Sequence, residues 1–211
     1  MRRTAHAPAA LTAALLVAAL SACAPLSAPT PAAATSEAAS PVAPVATASA
    51  AMPTIAAMAV PATCDELYSA DFRAGLEAAG FALNPADKDL TQYKDIGSED
   101  GQLIAMIEGA PDRLTCHWLA AVGASSEAGL ATNVLAVPEA VSTAAMARME
   151  EMNFSKTASS GGIRFSYEEH TENGDFGESH LFREGLWLAT AWTNFGPDGY
   201  TADMATSIFG A

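Results

Sequence analysis

Leu186-Trp187-Leu188-Ala189-Thr190-Ala191-Trp192 decides the fold, because both of its alternating sets of side chains are predominantly apolar. Successive residues of a strand point to opposite faces, so a strand apolar on both sides needs a packed layer above and below it. Glu184-Gly185, just before the run, is a two-residue hairpin signal, and Ser179–Arg183 reads as the partner strand. Further back, Ile163, Phe165 and Tyr167 alternate with Arg164, Ser166 and Glu168, a half-buried strand. Asn173-Gly174 predicts the hairpin that joins this strand to the next. With both turns in place, Phe165 faces Phe182, Phe182 faces Trp187, and Leu181, Leu188 and Trp192 share the opposite side.

Outward from this core, Leu114–Val122 and Leu130–Val137 read as two more antiparallel strands around a Gly/Ser-rich turn. Pro138 suits the start of a helix whose stripe is Val141, Ala145, Met149 and Met152. Thr63-Cys64-Asp65-Glu66 has the form of a capping box. Ser69 can recap the same helix ahead of Phe72, Leu76 and Ala79, and Gly80 ends it. Asn84–Gly101 reads as loop, Leu103–Glu108 as a brief helix, and the chain closes on a helix from about Thr201. The expectation is an α+β fold: a mainly antiparallel sheet of about five strands, flanked by helices and preceded by a disordered stalk.

The composition changes along the chain in a way that assigns the parts. Arg2 and Arg3 precede an apolar stretch, Ala9–Leu20, too short to span a bilayer and followed by small residues, as in a secretory signal peptide. From Ala24 to about Ala62 the chain is nearly all Ala, Pro, Thr, Ser and Val, with Glu37 as its one charge. Such a segment has little to bury against the entropy of ordering. As a flexible coil its ends would lie roughly 35 Å apart. From Thr63 onward the Leu, Phe, Trp and Tyr content is that of a globular domain of ordinary size. The expected parts are therefore 1–22, a leader; 23–62, a linker; and 63–211, the folded domain.

Leu20-Ser21-Ala22-Cys23 resembles the lipobox of bacterial lipoproteins. The resemblance implies that Cys23 carries a diacylglyceryl group and becomes the first residue after cleavage. The protein would then be lipid-anchored on the extracytoplasmic face of the cell membrane. Two cysteines remain, Cys64 and Cys116. Outside the cytoplasm such a pair usually forms a disulfide; a metal thiolate pair or a redox pair are the alternatives, although redox pairs are normally Cys-x-x-Cys.

The chain carries 24 acidic and 10 basic residues. With the leader and Glu37 set aside, 23 acids face eight bases, an excess of 15 negative charges. That balance argues against nucleic acid and against lying flat on anionic lipid. It permits a cationic partner without pointing to one.

No hydrolase, zincin, nucleotide-loop or dinucleotide signature is visible. The serines of Gly123–Glu127 lack the context of a nucleophile elbow. His117, His170 and His180 are expected to point in different directions: His180 faces Tyr167, His170 lies on the opposite side, and His117 points away from Cys116. Met146, Met149 and Met152 suit a soft metal ion, but at that helical spacing they more simply form an adaptable core contact. Glu168, Glu169, Glu172, Asp175 and Glu178 gather around the predicted hairpin, where a solvated tip is the plain reading and a calcium site the sharper one. Trp187, Trp192 and Tyr200 read as core, or as the lining of a groove. The residues thus nominate no catalytic group, no metal ligand and no cofactor.

The domain also resembles a group of uncharacterised actinobacterial surface lipoproteins. The likeness rests on Thr63-Cys64-Asp65-Glu66-Leu67-Tyr68-Ser69, Cys116-His117-Trp118, Arg183-Glu184-Gly185-Leu186-Trp187, Ala191-Trp192 and Pro197-Asp198-Gly199-Tyr200-Thr201. More loosely, its order of elements is similar to the extracellular sensor domains of mycobacterial serine/threonine kinases. Neither resemblance brings catalytic residues to carry over; the anchor, the stalk and the missing catalytic signatures point to a non-catalytic binding or accessory domain, its partner a surface protein or a small ligand. A cell-wall or carbohydrate-active enzyme, and a structural or inhibitory partner of another surface protein, are the competing expectations.

Overall fold

In the computed structural model, which describes residues 58–93, 97–121, 127–172 and 174–210, the run at 186–192 is the middle strand of a seven-stranded sheet. The elements in chain order are α1 (Ala70–Ala78), β1 (Phe81–Leu83), α2 (Gly101–Glu108), β2 (Arg113–Ala120), β3 (Gly129–Ala136) and α3 (Glu139–Glu151). They continue with β4 (Ser155–Ser159), β5 (Gly162–Thr171), β6 (Gly174–Arg183), β7 (Leu186–Thr193) and α4 (Tyr200–Phe209). The sheet order is β1-β2-β3-β7-β6-β5-β4, and every neighbouring pair is antiparallel.

The α+β class stands, but the sheet has seven strands rather than about five. The two additional strands are its edges. Phe81–Leu83 is three residues long and pairs with the end of β2, too short for any alternation to register. Ser155-Lys156-Thr157-Ala158-Ser159 is polar and almost wholly exposed. Edge strands protected by polar and charged residues are common, because an apolar edge invites pairing with other chains.

Both faces of β7 are covered, as its double apolar pattern requires. On the first face Leu186 and Leu188 pack with Cys116, Trp118, Leu130, Val134 and Leu181 beneath α1 and α4. On the second, Trp187 and Ala189 pack with Leu135, Phe165 and Phe182 beneath α2 and α3. The β6–β7 turn holds Glu184 at φ 51° and Gly185 at φ 81°, the two positive dihedrals of a type I′ hairpin. It sets Phe182 opposite Trp187.

The β5–β6 register differs from expectation by two residues. Phe165 lies opposite His180, and Ile163 lies opposite Phe182. The ladder closes at Thr171 and Gly174, so Gly174 belongs to the strand; Asn173 lies outside the described residues. A two-residue shift preserves the faces, which is why the aromatic side of the sheet is still the one expected.

The first face is locked covalently. Cys64 and Cys116 form a disulfide, their Cα atoms 5.7 Å apart. Cys64 opens a short 3-10 turn, Cys64–Leu67, rather than the helix itself. Glu66 accepts a hydrogen bond from the backbone N–H of Ala62, and Ser69 Oγ, not Thr63, caps α1 by accepting from Phe72 N. Met58 and Val60 pack against this core, and Met58 N donates to Glu184 O. Cys23 and the segments expected to be leader and linker up to residue 57 lie outside the described residues. Among the described residues no helix is long and apolar enough to cross a membrane.

Candidate functional site

The second face carries a polar assembly that begins in a loop. Gly97 has φ +76°, and a Cβ there would lie 2.5 Å from Ala189 O. Only glycine lets the backbone descend this close to the middle of β7. The descent places Ser98, Glu99 and Asp100 over the sheet. Asp100 caps α2 by accepting from Gln102 N and Leu103 N, each at 3.1 Å. It also pairs with Arg148 of α3 at 2.8 Å. The Arg148 guanidinium holds the Asp100 carboxyl below the usual range, against the opposing effect of burial.

Beneath the loop lies Glu178, 3% exposed. Its Oε1 accepts from Glu99 N at 2.7 Å, and its Oε2 accepts from Ser98 Oγ at 2.7 Å and His180 Nε2 at 2.9 Å. His180, wholly buried, receives the indole N–H of Trp187 on Nδ1 at 3.2 Å. An indole N–H only donates, so Nδ1 must accept and the ring proton sits on Nε2, pointing at Glu178. The imidazole is therefore neutral in this arrangement. Three donors serve the carboxylate, and no Lys or Arg among the described residues forms an ion pair with it. A carboxylate offers about four acceptor positions, so one remains, on Oε1.

Glu178 also borders a cleft of about 570 Å³, framed by Met152, Phe154, Tyr167, Glu169 and Phe176, with Glu99 at its rim. That volume lies within the usual range for small-molecule sites. Phe154 and Tyr167 stack with ring centres 5.5 Å apart, and Phe154 lies over His180 at 5.8 Å. Tyr167 is 41% exposed and donates to Glu169 Oε2 at 2.8 Å. The pairing of β4 with β5 stops at Ser155 and Ser166, so the hairpin projects beyond β4, and the cleft lies along this projecting part.

A smaller cavity of about 220 Å³ lies on the first face at the start of α4, beside Arg164, Ser179, Thr190, Trp192 and Thr201. Side-chain hydrogen bonds link several of its polar groups. Arg164 Nε donates to Ser179 Oγ at 2.8 Å, and Ser179 Oγ bonds Thr201 Oγ1 at 2.8 Å. Alongside runs a buried hydroxyl chain: Tyr68 to Tyr200 at 2.6 Å, Tyr200 to Thr132 at 2.8 Å, and Thr132 to Thr190 at 2.9 Å. Burial pushes the Tyr68 phenol up to about 12 and Tyr200 well above its ordinary value.

These positions sort the residues singled out from sequence. The acidic group does not act as one: Glu168, Glu169, Glu172 and Asp175 are exposed, while Glu178 faces inward. His180 lies opposite Phe165, not Tyr167, and its partner Glu178 is two residues away on the same strand face. His170 bonds Asp175 at 2.8 Å in solvent, which raises its pKa, and His117 lies near the Tyr93 ring. The three histidines thus stand apart. Met149 is core, Met146 and Met152 pack against it, and Met152 also edges the cleft. Trp187 is core, Tyr200 borders the smaller cavity, and Trp192 borders both that cavity and the larger cleft. Residues 123–126 of the serine-containing turn lie outside the described residues. Sequence reasoning missed Ser98 and Glu99 entirely. The available signal was Gly97 followed by Ser-Glu-Asp ahead of an apolar run, a helix start preceded by a glycine.

Comparison with protein-family models, with curated proteins and with solved structures finds no match for this chain.

Proposed function

We propose that the protein is a lipid-anchored, extracytoplasmic binding lipoprotein, tethered through Cys23, and that its ligand enters the cleft beside Glu178. The observation that carries this reading is the cleft itself. Aromatic side chains and a buried carboxylate meet in one volume. Recognition sites commonly combine an apolar lining with a few placed polar groups. A non-catalytic role fits the way Glu178 is held. Its hydrogen-bonding neighbour His180 is sealed from the cleft, and most of its acceptor positions are filled from within.

A second reading, an enzyme of cell-wall or carbohydrate metabolism, is favoured by one observation: an aromatic-lined sheet face opens beside a glutamate. In that reading Glu178 is the reactive carboxylate and its hydrogen bond to His180 orients it. A docking or inhibitory role has less behind it, since Ile163 at 38% and Tyr167 at 41% are the exposed large hydrophobics among the described residues.

The experiment is equilibration of the membrane-extracted mature protein with cell-envelope extracts, followed by native mass spectrometry. A retained species lost in Tyr167→Ala and Phe176→Ala, together with a diacylglyceryl mass on Cys23, is the expected result. Turnover of envelope material abolished by Glu178→Gln would move the assignment to the enzyme. A Cys23 without lipid would overturn the anchor.

A further inference from the structure

We infer that the cleft beside Glu178 selects a small organic cation, an ammonium group on an apolar body. This inference rests on the cleft being the ligand site and names the chemistry of what enters it.

The first ground is charge. Glu178 is a carboxylate 3% exposed, and among the described residues no Lys or Arg pairs with it. The nearest charged candidate, His180, holds its proton on Nε2 because Trp187 occupies Nδ1 from the other side. Glu178 meets three hydrogen-bond donors and no Lys or Arg among the described residues, so a cation entering the cleft would find its full countercharge there, in a low-dielectric surround where such an attraction is strong. One acceptor position on Oε1 is open. Glu169 adds a second carboxylate at the rim, and among the described residues no basic side chain lines the cleft.

The second ground is the walls. Phe154, Tyr167 and Phe176 present three aromatic rings around the same volume, with the Met152 thioether beside them. Aromatic faces attract cations through their quadrupole, most effectively when water is excluded, and aromatic cages of this kind suit quaternary ammonium groups. The same rings bury the apolar body of such a ligand. An anion meets carboxylates and the negative faces of the rings, so it is excluded. A neutral molecule gains the apolar contact and nothing from the charge. The hydrogen bond from Tyr167 to Glu169 ties one ring to one carboxylate and keeps both at the mouth.

The test uses the intact mature protein and three probes built on one phenylethyl body, followed by titration calorimetry. These are 2-phenylethyl trimethylammonium, its near-isosteric and water-soluble neutral counterpart 2-methyl-4-phenylbutan-2-ol, and the smaller anion 3-phenylpropanoate. The cation is expected to bind about tenfold tighter than the neutral counterpart, the anion not at all, and the preference to shrink as salt is raised. Glu169→Gln, at an exposed position, should weaken the cation alone by about threefold and leave the neutral probe unchanged. Tyr167→Leu should weaken the cation more than the neutral counterpart. Equal binding of cation and neutral counterpart overturns the inference while leaving the cleft as a ligand site. Failure of all three probes at millimolar concentration overturns both. Glu178→Gln is expected to abolish the preference for the cation. Should that variant fail to fold, the three-probe comparison on the unaltered protein decides alone.

Discussion

The two faces of one sheet have been closed in different ways, and the difference separates stability from recognition. The first face is sealed by a disulfide, two helices and a hydroxyl chain in which each group finds its partner inside the protein. The second is sealed only over part of its length, by α2, α3 and the loop carried on Gly97. Beyond Ser155 the β5–β6 hairpin is no longer paired with β4, and there the polar assembly reaches a cleft. The buried hydroxyls of the first face are spent on one another and have little left to offer a ligand. A face with a carboxylate, one free acceptor position and an opening has something to offer.

The sharpest way to break this comparison is at the disulfide. The bridge spans 52 residues, and releasing a loop of that length costs about 4 kcal/mol in the chain-entropy model. Replacing Cys64 and Cys116 together by Ala should lower the urea midpoint by a corresponding amount, with the cleft still competent in the molecules that remain folded. If binding at the cleft is lost in step with the bridge under native conditions, the two faces are not separable.

Next in size is Glu178→Ala, which leaves Ser98 Oγ, Glu99 N and His180 Nε2 without their acceptor. Orphaned buried donors cost about 1–3 kcal/mol each, partly recovered where water enters from the cleft, so a net loss of about 3 kcal/mol is expected by denaturant titration. Gly97→Ala should cost about 2 kcal/mol through the positive φ and the approach to Ala189 O. Hydrogen exchange should show faster opening of residues 97–100 in that variant, with β2 and β3 unchanged. An unperturbed loop would mean that the close approach to β7 is not what holds it.

How much of this contrast was legible in the chain follows from what each signal depends on. The double apolar pattern of 186–192 announced a covered central strand, because burial on both faces leaves a mark at every residue. Glu184-Gly185 announced its turn, because two positive dihedrals favour few residue types. The edge strands left no such mark: β1 is too short, and β4 is polar because it is an edge. Cys64 and Cys116 were readable as a bridge once Cys23 was set aside for the lipid, because only two thiols remained. Glu178 was not readable. Its neighbours Glu168, Glu169 and Glu172 are solvated, and nothing local distinguishes a glutamate in a hairpin from one turned under a loop eighty residues earlier in the chain. The pairing of Ser98 with Glu178 is a tertiary event, and the two-residue change of register shows how little turn chemistry alone constrains it.

A smaller effect lies at the support of the loop. Asp100→Ala removes the cap of α2 and should cost about 1 kcal/mol. The pH dependence carries more information. Arg148 holds the Asp100 carboxyl below its ordinary value of 3.8, so its folded pKa is lower than its unfolded one. The unfolded chain therefore takes up the proton first as the solution is acidified. The stabilisation is complete above that ordinary value and disappears as the pH falls through the lowered one. Asp100→Asn, which keeps much of the cap, should flatten the acid limb of the stability profile; an unchanged limb would show that the pair with Arg148 contributes nothing to it.

The smallest expected change in stability is the most telling for function. Tyr167 is 41% exposed, and its hydroxyl bonds the exposed Glu169, so Tyr167→Leu, which keeps much of the apolar contact with Phe154, should alter stability by less than about 0.5 kcal/mol. The ring nevertheless forms a wall of the cleft and stacks on Phe154, which in turn covers His180. Loss of ligand binding by about tenfold at nearly constant stability is the signature of a residue kept for recognition. Its counterpart on the first face, Tyr68→Phe, removes a buried hydroxyl and its bond to Tyr200, so it should do the reverse: lower stability by about 1 kcal/mol and leave cleft binding untouched. The two tyrosine variants, measured side by side by thermal unfolding and calorimetry, place each face on its own axis. A Tyr167 variant that loses stability and keeps binding would reverse the roles assigned to the two faces.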